Sequence, residues 1–524
     1  MIFIENAPIA QWIERIRPKD TMEVRFLLGV HLNMTTKIPL EVLEVLKKLK
    51  SAGFEAYIVG GCVRDLVMDK IPNDWDITTN ALPGEIIGIF PDSFYENNFG
   101  TVGVKTKPFL KNRFLRENRE HDIVEVTTYR IESTYSDFRR PDNVLFAKTL
   151  VEDLGRRDFT MNAMAVNIDH PSKFEVVDYF EGKNDILHRV VRSVGDANER
   201  FMEDALRMMR GVRFCSQLGF IIEKDTLSGI KRNAQLITHI SAERIRDEFI
   251  KIILSENPAG GVEILHQTGL LQYIIPELER GIGVSQNRHH IYTIYNHLLY
   301  SLKNCPSNKI EVRLAALFHD IAKPQTKRGE GMYATFYNHD HIGAGIVEKI
   351  LKRLKFSNEI IEKVRMLVDN HMFYYNPDEV TESSVRRLIR KVGIENTKDL
   401  IDLRIADRLG SGTPKAKPYK LRHLEYIIEK VSKDAVSVKM LKINGNDLIK
   451  ELSMKPGPVI GTILDVLLAE VIEDAQKNSK EYLLMRARDL ATEDIKRLRL
   501  MAKDVIEEKK QEDDEEIKKR YWVK

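Results

Sequence analysis

The chain has 524 residues, of which 43% are hydrophobic and 30% are charged, and its formal net charge is +3. This composition is typical of a globular protein with roughly three or four domains, and it excludes a largely disordered chain. No run of about 18 apolar residues predicts a transmembrane helix, the three cysteines match no disulfide or zinc spacing, and Glu5, Glu14 and Asp20 interrupt any signal-peptide core. We therefore expect a cytoplasmic protein without membrane segments.

A helical pattern at residues 39–53 precedes the segment on which the functional prediction depends. Residues 57–59 predict a short buried strand. Gly60 and Gly61 end this strand and let backbone N–H groups approach a ligand closely. A helix that begins there would direct its positive end and Arg64 toward an anion.

Two acidic residues, Asp74 and Asp76, flank Trp75 at the start of a second predicted strand. Alternate residues of a strand share a face, so the two carboxylates should lie side by side. Their repulsion is removed by a cation, and Mg²⁺ also bridges carboxylates to a triphosphate. Two aspartates separated by one residue, without other signals, are usually solvated residues of a loop. A strand, a Gly-Gly turn, Arg64 and the acid pair within residues 57–78 are a far more specific signal.

Residues 122–128 alternate and are rich in β-branched side chains, which predicts a strand. This strand offers Glu125 and Asp122 as candidates for a third carboxylate. Residues 129–146 are polar and rich in arginine, as in a mobile loop. Strand and helix patterns alternate up to about residue 190, and almost only helical patterns follow. The predicted fold class is therefore α+β, with a mixed-sheet head followed by an elongated helical body.

Five motifs occur in the order known from one enzyme family. They are G-G-C-V-R-D, N-D-W-D-I-T-T, E-V-T-T-Y-R, R-R-D-F-T-M-N-A-M-A and E-D-A-L-R-M-M-R-G-V-R-F, all within residues 57–214. The chain thus resembles the class II tRNA nucleotidyltransferases and bacterial poly(A) polymerases. The resemblance implies a polymerase-β-like head that adds nucleotides to a tRNA 3′ end without a nucleic-acid template. It also implies that Asp74, Asp76 and Glu125 are the catalytic acids, and that the first two bind two Mg²⁺ ions.

The nucleotide base would be chosen by side chains of residues 203–213, which fit one helix. Asp204 and Arg207 project together on such a helix, whereas Asp204 and Arg213 lie on opposite sides. An aspartate accepts from the amino group of cytosine or adenine, and an arginine donates to the adjacent ring nitrogen. Uracil and guanine would leave buried groups unpaired at roughly 1–3 kcal/mol each. Arg210 and Arg213 would bind phosphate or support the pair, and an ion-paired solvated face is the alternative.

The remaining nucleotide contacts follow from the resemblance. It places the triphosphate of ATP or CTP against Gly60, Gly61 and Arg64. It also assigns phosphate or ribose contacts to Arg157 and Asp158.

Three activities of the family remain open at this stage. Residues 129–146 resemble the flexible loop that CC-only enzymes lack, so addition of A is expected. Residues 94–107 lack the basic stretch that marks many bacterial poly(A) polymerases. Full CCA addition to tRNA is therefore favoured, with an A-adding enzyme or a poly(A) polymerase as the alternative. An HD-type phosphohydrolase or an RNA-binding protein with an inactive head is the alternative from another class, and the intact acid pair argues against it.

Residues 286–410 resemble an HD domain, whose histidines and aspartates bind one or two divalent metals. The matching residues are His297, His319, Asp320, His339, His371 and Asp407. A metal held by imidazole and carboxylate groups activates water against a phosphoester. A scaffold that has lost its metal is the alternative.

We predict five parts of the chain. These are an N-terminal extension at 1–36, a nucleotidyltransferase head at 37–190, a helical neck that binds nucleotide and RNA at 191–285, an HD body at 286–410 and a tRNA-binding helical tail at 411–524. In the tail, residues 455–458 would open a helix whose N–H groups contact the tRNA backbone, and turn capping explains them equally well. The final forty residues predict a charged, solvated helix. No protein partner is implied.

Overall fold

A computed structural model of the chain describes residues 37–97, 100–107, 122–132, 144–170, 173–287, 291–377, 379–412, 417–432 and 441–523. The N-terminal extension at 1–36 and the centre of the arginine-rich loop, 133–143, lie outside these residues. What the sequence predicts for those two segments therefore stays a prediction.

The head is built on a mixed β-sheet. The strands of the head are β1 (Ala56–Val59), β2 (Asp76–Thr79), β3 (Ser93–Asn97), β4 (Thr101–Thr106), β5 (Asp122–Thr128), β6 (Arg130–Glu132), β7 (Val144–Phe146), β8 (Ala165–His170) and β9 (Lys173–Val177). Within the described residues the main sheet has the order β3-β4-β5-β2-β1-β8-β9, and β6 pairs with β7 in a separate hairpin. Strands β2 and β5 are parallel, and the other neighbours are antiparallel.

Helices pack against both faces of this sheet. They are α1 (Leu40–Ser51), α2 (Gly61–Val67), α3 (Pro83–Ile89), α4 (Leu150–Gly155) and α5 (Gly182–Leu187). The apolar spacing of α1 brings Val42 and Leu49 into one core with Ile58 and Val126 of the sheet. Each such buried side chain contributes roughly 1.5–3 kcal/mol. This core holds the strand ends that carry the predicted site.

Helices dominate after residue 190, as the sequence predicts. The neck contains β10 (Val190–Val191), α6 (Ala197–Glu203), α7 (Leu206–Leu218), β11 (Ile221–Ile222), α8 (Lys224–Asn233), α9 (Ala242–Ile253), α10 (Pro258–Gln267), α11 (Leu271–Ile274) and α12 (Pro276–Glu279). Helix α7 joins two cores, because Phe214 packs into the core of the head while Met208 and Val212 pack with the helices that follow. The expected α+β order of a mixed-sheet head and a helical body is confirmed.

The body shares its hydrophobic core with the neck. Its helices are α13 (Ile294–Lys303), α14 (Ile310–Phe318), α15 (Lys323–Thr326), α16 (His339–Arg353), α17 (Asn358–Asp369), α18 (Glu382–Val392) and α19 (Ile394–Gly410). One cluster of buried side chains runs from Ala197 through Phe249 and Phe318 to Ala406. The neck and the body are therefore packed together rather than tethered by a linker.

The tail ends in a helix that returns to the body. Its helices are α20 (Tyr419–Ser432), α21 (Gly445–Leu452), α22 (Pro458–Glu473), α23 (Lys480–Leu490) and α24 (Ile495–Tyr521). Helix α24 is not simply solvated, because Ile517 and the following Val523 are buried against Leu424 and Ile428 of α20. The high charge of this segment predicted a solvated helix, and the few apolar residues that pack on α20 were not recognised. Among the described residues, no helix combines the length and apolarity that crossing a bilayer requires.

Candidate active site

The Gly-Gly turn lies where β1 meets α2. Gly60 has φ +82°, and a Cβ atom there would lie 2.9 Å from Nη1 of Arg157 and 3.4 Å from Oδ2 of Asp76. A side chain at this position would be strained and would displace the arginine. Glycine is therefore what permits the strand end, a cation and an acid to meet at one point.

Asp74 and Asp76 line one cavity of about 560 Å³, together with Gly60, Gly61 and Arg64. Strand β2 begins at Asp76, so Asp74 precedes the strand instead of lying on it as the sequence suggested. Buried Trp75 anchors the segment between them. Asp74 is exposed and Asp76 is partly buried. The cavity wall thus brings both carboxylates together although only one belongs to the strand.

The strand register separates the two candidates for a third acid. Glu125 of β5 is the register partner of Asp76 on parallel β2, and paired residues of adjacent strands point to the same face. Asp122 lies three positions earlier, so it shares the opposite face with the buried Val124 and Val126, and it is itself 6% exposed. The register therefore favours Glu125, which does not line the cavity itself but lies opposite an acid that does.

Arginines on one wall of the cavity are held by buried acids. Oδ1 of Asp153, which is fully buried, accepts from Arg156 at 2.9 Å, and its Oδ2 lies 3.4 Å from Arg157. On α2, Arg64 donates to the partly buried Asp65 at 2.7 Å and to Asn162 at 3.0 Å. These contacts orient positive charge beside the acid pair.

Asp158 is a buried anchor for a further arginine. Its carboxylate accepts from the backbone of Phe159 and from Asn162, and it lies 2.6 Å from Arg210. Burial alone would raise the pKa of Asp158, but Arg210 and Arg207 outweigh burial and lower the pKa to about 2. The carboxylate is therefore ionised and already engaged, which suits holding Arg210 in place.

The predicted base-reading residues do not share a helix. Asp204 is extended, with φ −139° and ψ 105°, and it separates α6 from α7. Its Oδ1 accepts from the backbone N–H of Leu206 at 3.0 Å, and its Oδ2 lies 2.8 Å from Nη2 of Arg244. The expectation that Asp204 and Arg213 lie on opposite sides is wrong, because it assumed an unbroken helix, and both residues line the same cavity.

Each arginine of α7 has an acidic neighbour. Arg207 lies 2.7 Å from Glu203 and also donates to the carbonyl of Arg156 at 3.0 Å. Glu203 is in turn 2.8 Å from Arg200. Arg213 lies 3.2 Å from Glu248 of α9. Arg207, Arg210 and Arg213 all line the cavity with Asp204.

Arg244 is one of several cavity residues that were not predicted, and Arg156, Asn162 and Gln217 are others. Arg244 lies forty positions after Asp204, on α9, and no local periodicity connects the two residues. The signal in the sequence is the segment S-A-E-R-I-R-D-E-F at 241–249, which resembles the same family more weakly than the five motifs do.

A second cluster of titratable side chains lies in the body, about a cavity of about 550 Å³. The predicted histidines and aspartates come together there from α13, α16, α19 and the residues that follow α14 and α17. Nε2 of His297 lies 3.0 Å from Nε2 of His319 and 3.1 Å from Oδ2 of Asp320. Nε2 of His339 lies 3.2 Å, and that of His371 3.6 Å, from Oδ1 of the same aspartate.

The chemistry of this cluster suits a cation. The Nδ1 atoms of three of the histidines hydrogen-bond to backbone carbonyls, namely His319 to Ala316, His339 to Phe336 and His371 to Val368. Since a carbonyl can only accept, Nδ1 carries the proton of the neutral ring, and in that form Nε2 has a lone pair that faces the cluster. Among the described residues, Oδ1 of Asp320 and Nε2 of His339 and His371 are buried and make no hydrogen bond.

The electrostatics of the cluster also favour a bound cation. Burial opposes a charge on His319, but Asp320 and Asp407 outweigh burial and raise its pKa to about 9. Asp407 lies 3.4 Å from His297 and 3.7 Å from His319. Positive charge between these carboxylates is therefore stabilised.

A mixed sheet that brings paired acids, a Gly-Gly turn and an arginine-lined cavity together is the arrangement of a nucleotidyltransferase. The family model "Poly A polymerase head domain" matches residues 56–192. "Probable RNA and SrmB-binding site of polymerase A" matches 219–282, and "tRNA nucleotidyltransferase domain 2 putative" matches 329–487.

Relatives define the family more closely. The chain is 34% identical over 473 residues to a CCA-adding enzyme of Enterococcus faecalis, covering 86% of this chain and 97% of the relative. It is 34% identical over 452 residues to a CCA-adding enzyme of Limosilactobacillus reuteri, covering 86% and 96%. The crystal structure of the Bacillus stearothermophilus CCA-adding enzyme in complex with CTP aligns at a TM-score of 0.54 and 27% identity, covering 86% of this chain and 98% of that one. The chain belongs to the family of CCA-adding enzymes.

Proposed function

We propose that the cavity around Asp74 and Asp76 is where this member of the family adds C, C and A to the 3′ end of tRNA. CTP and ATP are the substrates, and pyrophosphate is released. The observation that carries the assignment is that one cavity is lined by both acids, the Gly-Gly turn, Asp204 and Arg207. Because tRNA and nucleoside triphosphates are cytoplasmic molecules, we place the protein there.

The triphosphate end of the nucleotide would lie against Gly60, Gly61, Arg64 and Arg157. The absence of a side chain at Gly60, where a Cβ would approach Arg157 to 2.9 Å, leaves room for a phosphate beside the guanidinium. Buried Asp153 lies 3.4 Å from Arg157 and orients it toward that position. Arginine suits phosphate because its donors are fixed in a plane.

The acid pair fits Mg²⁺, which prefers carboxylate oxygens and retains sites for phosphate and water. Asp74 and Asp76 would hold the ions, with Glu125 opposite Asp76 on the neighbouring strand. Bound Mg²⁺ would lower the pKa of the tRNA 3′-hydroxyl and neutralise charge on the departing pyrophosphate.

The base would be selected by Asp204 and Arg207. Asp204 accepts from the amino group of cytosine or adenine, and Arg207 donates to the adjacent ring nitrogen. The contacts of Arg207 with Glu203 and with the carbonyl of Arg156 hold its guanidinium before a nucleotide arrives. Uracil and guanine present the reverse order of donor and acceptor and are rejected.

The direct test supplies tRNA lacking CCA, or ending in CC, with Mg²⁺ and single labelled nucleotides. We expect C and then A to be incorporated, and neither U nor G. Asp74→Ala and Asp76→Ala should abolish incorporation and leave tRNA binding unchanged. Normal incorporation by either variant would refute the metal assignment, and addition of A alone would favour the A-adding alternative.

We also propose that the histidine–aspartate cluster of the body binds one or two divalent metal ions and hydrolyses a phosphoester. Supporting this are the buried Oδ1 of Asp320 and Nε2 of His339 and His371, which make no hydrogen bond among the described residues. Imidazole and carboxylate ligands suit transition metals or Mg²⁺. Metal analysis and a phosphatase and 2′,3′-cyclic phosphodiesterase assay on wild type and His319→Ala test this proposal. A metal-free protein without hydrolysis would instead indicate a scaffold.

A further inference from the structure

The base-reading pair does not distinguish the two bases that it admits. Cytosine and adenine both present an amino group beside an unprotonated ring nitrogen, so Asp204 and Arg207 match both. A residue that recognises adenine must contact an atom that cytosine lacks. Adenine has such an atom in N7, an acceptor beside its amino group on the side away from N1. Cytosine has a C–H group at the corresponding place.

Arg244 lies beside the carboxylate that would receive the amino group. It belongs to α9, lines the same cavity as Asp204 and Arg207, and places Nη2 at 2.8 Å from Oδ2 of Asp204. The residue is therefore on the amino side of the pair. Arg207 is held separately, by Glu203 and by the carbonyl of Arg156, and stays assigned to the ring nitrogen.

The second terminal nitrogen of Arg244 lacks an acceptor. Its Nη1 is buried and has no hydrogen-bond partner within the described part of the chain. Several other arginine nitrogens share this property, but Nη1 of Arg244 belongs to the residue that contacts the base-reading carboxylate. A buried donor without an acceptor costs free energy, so an acceptor on a ligand bound in the cavity would stabilise this corner of the site.

We propose that Arg244 recognises adenine. Its Nη1 donates to N7 of the base, while Asp204 accepts from the N6 amino group and Arg207 donates to N1. This inference rests on the proposed function, because it assumes that the cavity holds the incoming nucleotide. It assigns Arg244 to the final, adenine-adding step, in contrast to the two cytosine steps.

The test compares ATP with 7-deaza-ATP, in which N7 is replaced by a C–H group, on tRNA ending in CC. We expect wild type to use ATP at least about tenfold more efficiently, as measured by kcat/KM, since one hydrogen bond to a charged donor is lost. Arg244→Met should use both nucleotides equally well. The readout is the ratio of kcat/KM for ATP to kcat/KM for 7-deaza-ATP. If the variant weakens the contact of Asp204 with the amino group, both nucleotides are affected alike and the ratio does not change.

Two controls keep the result interpretable. Arg246→Met alters a neighbouring arginine of α9 that bonds to Asp247 and to the carbonyl of Lys355 and does not line the cavity, so it should retain the wild-type preference for ATP. Arg244→Lys retains a charge for Asp204 but not the second fixed donor, and it should lose that preference as well.

The proposal is overturned if wild type uses 7-deaza-ATP as well as ATP, or if Arg244→Met retains the preference. The wild-type comparison alone can decide against it, whatever the stability of the variants. If the proposed CCA addition itself is wrong, the result is different: wild type adds neither C to tRNA lacking CCA nor A to tRNA ending in CC.

Discussion

Asp76 and Glu125 are register partners on the adjacent parallel strands β2 and β5. Their side chains share one face of the sheet, and Asp76 lines the nucleotide cavity. The carboxylate of Glu125 therefore lies next to an acid that we assign to Mg²⁺. This relationship joins two segments that are 49 positions apart in the sequence.

The first prediction concerns Glu125→Gln. We expect kcat for nucleotide addition to fall by about 10- to 100-fold, and the Mg²⁺ concentration for half-maximal activity to rise, because supporting groups of metal sites have effects of this size. Steady-state assays across a Mg²⁺ titration measure both quantities.

Asp122→Asn is the matched control for Glu125→Gln. Asp122 is on the same strand but faces the buried side with Val124 and Val126. It should lower the melting temperature and leave the Mg²⁺ dependence of the folded protein unchanged. If Asp122→Asn shifted the Mg²⁺ dependence and Glu125→Gln did not, the assignment of the third acid would be reversed.

The second prediction concerns selection of the base. Asp204→Ala combined with Arg207→Ala should reduce discrimination against UTP by at least about tenfold, because each mismatched buried group costs roughly 1–3 kcal/mol in the wild type. The ratio of kcat/KM for CTP and UTP measures the change. Unaltered discrimination in the double variant would show that the base is selected elsewhere.

Local sequence was sufficient for the part of the site between Gly60 and Asp76. Apolar residues, two glycines and paired acids predict a strand, a turn into a helix and a second strand, and the structure has that order. The third acid was different. Choosing Glu125 over Asp122 depends on which residue faces β2, and a register between distant strands is set by packing of the whole sheet.

The residue types of the base-reading pair, Asp204 and Arg207, could be predicted from the sequence, but their geometry could not. The segment around Asp204 fits a continuous helix by periodicity, yet the chain is extended at Asp204, whose side chain accepts from the N–H of Leu206 at the start of α7. The sequence does not distinguish an aspartate at the start of a helix from one inside a helix when the flanking residues are all good helix formers. Arg244 reaches Asp204 only because α9 packs on α7, and sequence spacing carries no information about that contact.

The third prediction uses the pKa of Asp158. The folded value of about 2 lies below the ordinary 3.8 because Arg210 and Arg207 outweigh burial. A lowered pKa stabilises the fold at pH values above the unfolded pKa, by about 2 kcal/mol at about 1.4 kcal/mol per pH unit. This stability is lost as the pH falls from about 4 through 2. Asp158→Asn should therefore be less stable than wild type at pH 7, with a gap that narrows toward pH 3.

Urea unfolding followed by tryptophan fluorescence measures this gap at several pH values. Asp92→Asn is the control, because Asp92 is exposed and has no ion pair among the described residues, and its unfolding curves should stay close to those of wild type. A gap for Asp158→Asn that stayed constant down to pH 3 would mean that the ion pair with Arg210 is not its cause.

The last prediction concerns the metal in the body. His339→Ala should reduce bound divalent metal, because Nε2 of His339 is buried, makes no hydrogen bond within the described residues and lies 3.2 Å from Oδ1 of Asp320. Elemental analysis of purified protein measures metal content directly. Chelation should lower the melting temperature of wild type, since a ligand that binds only the folded state stabilises it, and should leave that of His339→Ala unchanged.

His341→Ala is the control for that variant, because His341 is on the same helix, two positions later, but is exposed and bonds to Asp369 outside the cluster. It should retain wild-type metal content and the wild-type response to chelation. CCA addition should be the same in both variants, since the nucleotide cavity is lined by neither histidine. Equal metal content in His339→Ala and His341→Ala would contradict the assignment of His339 as a ligand, and a wild type without divalent metal would identify the cluster as a scaffold.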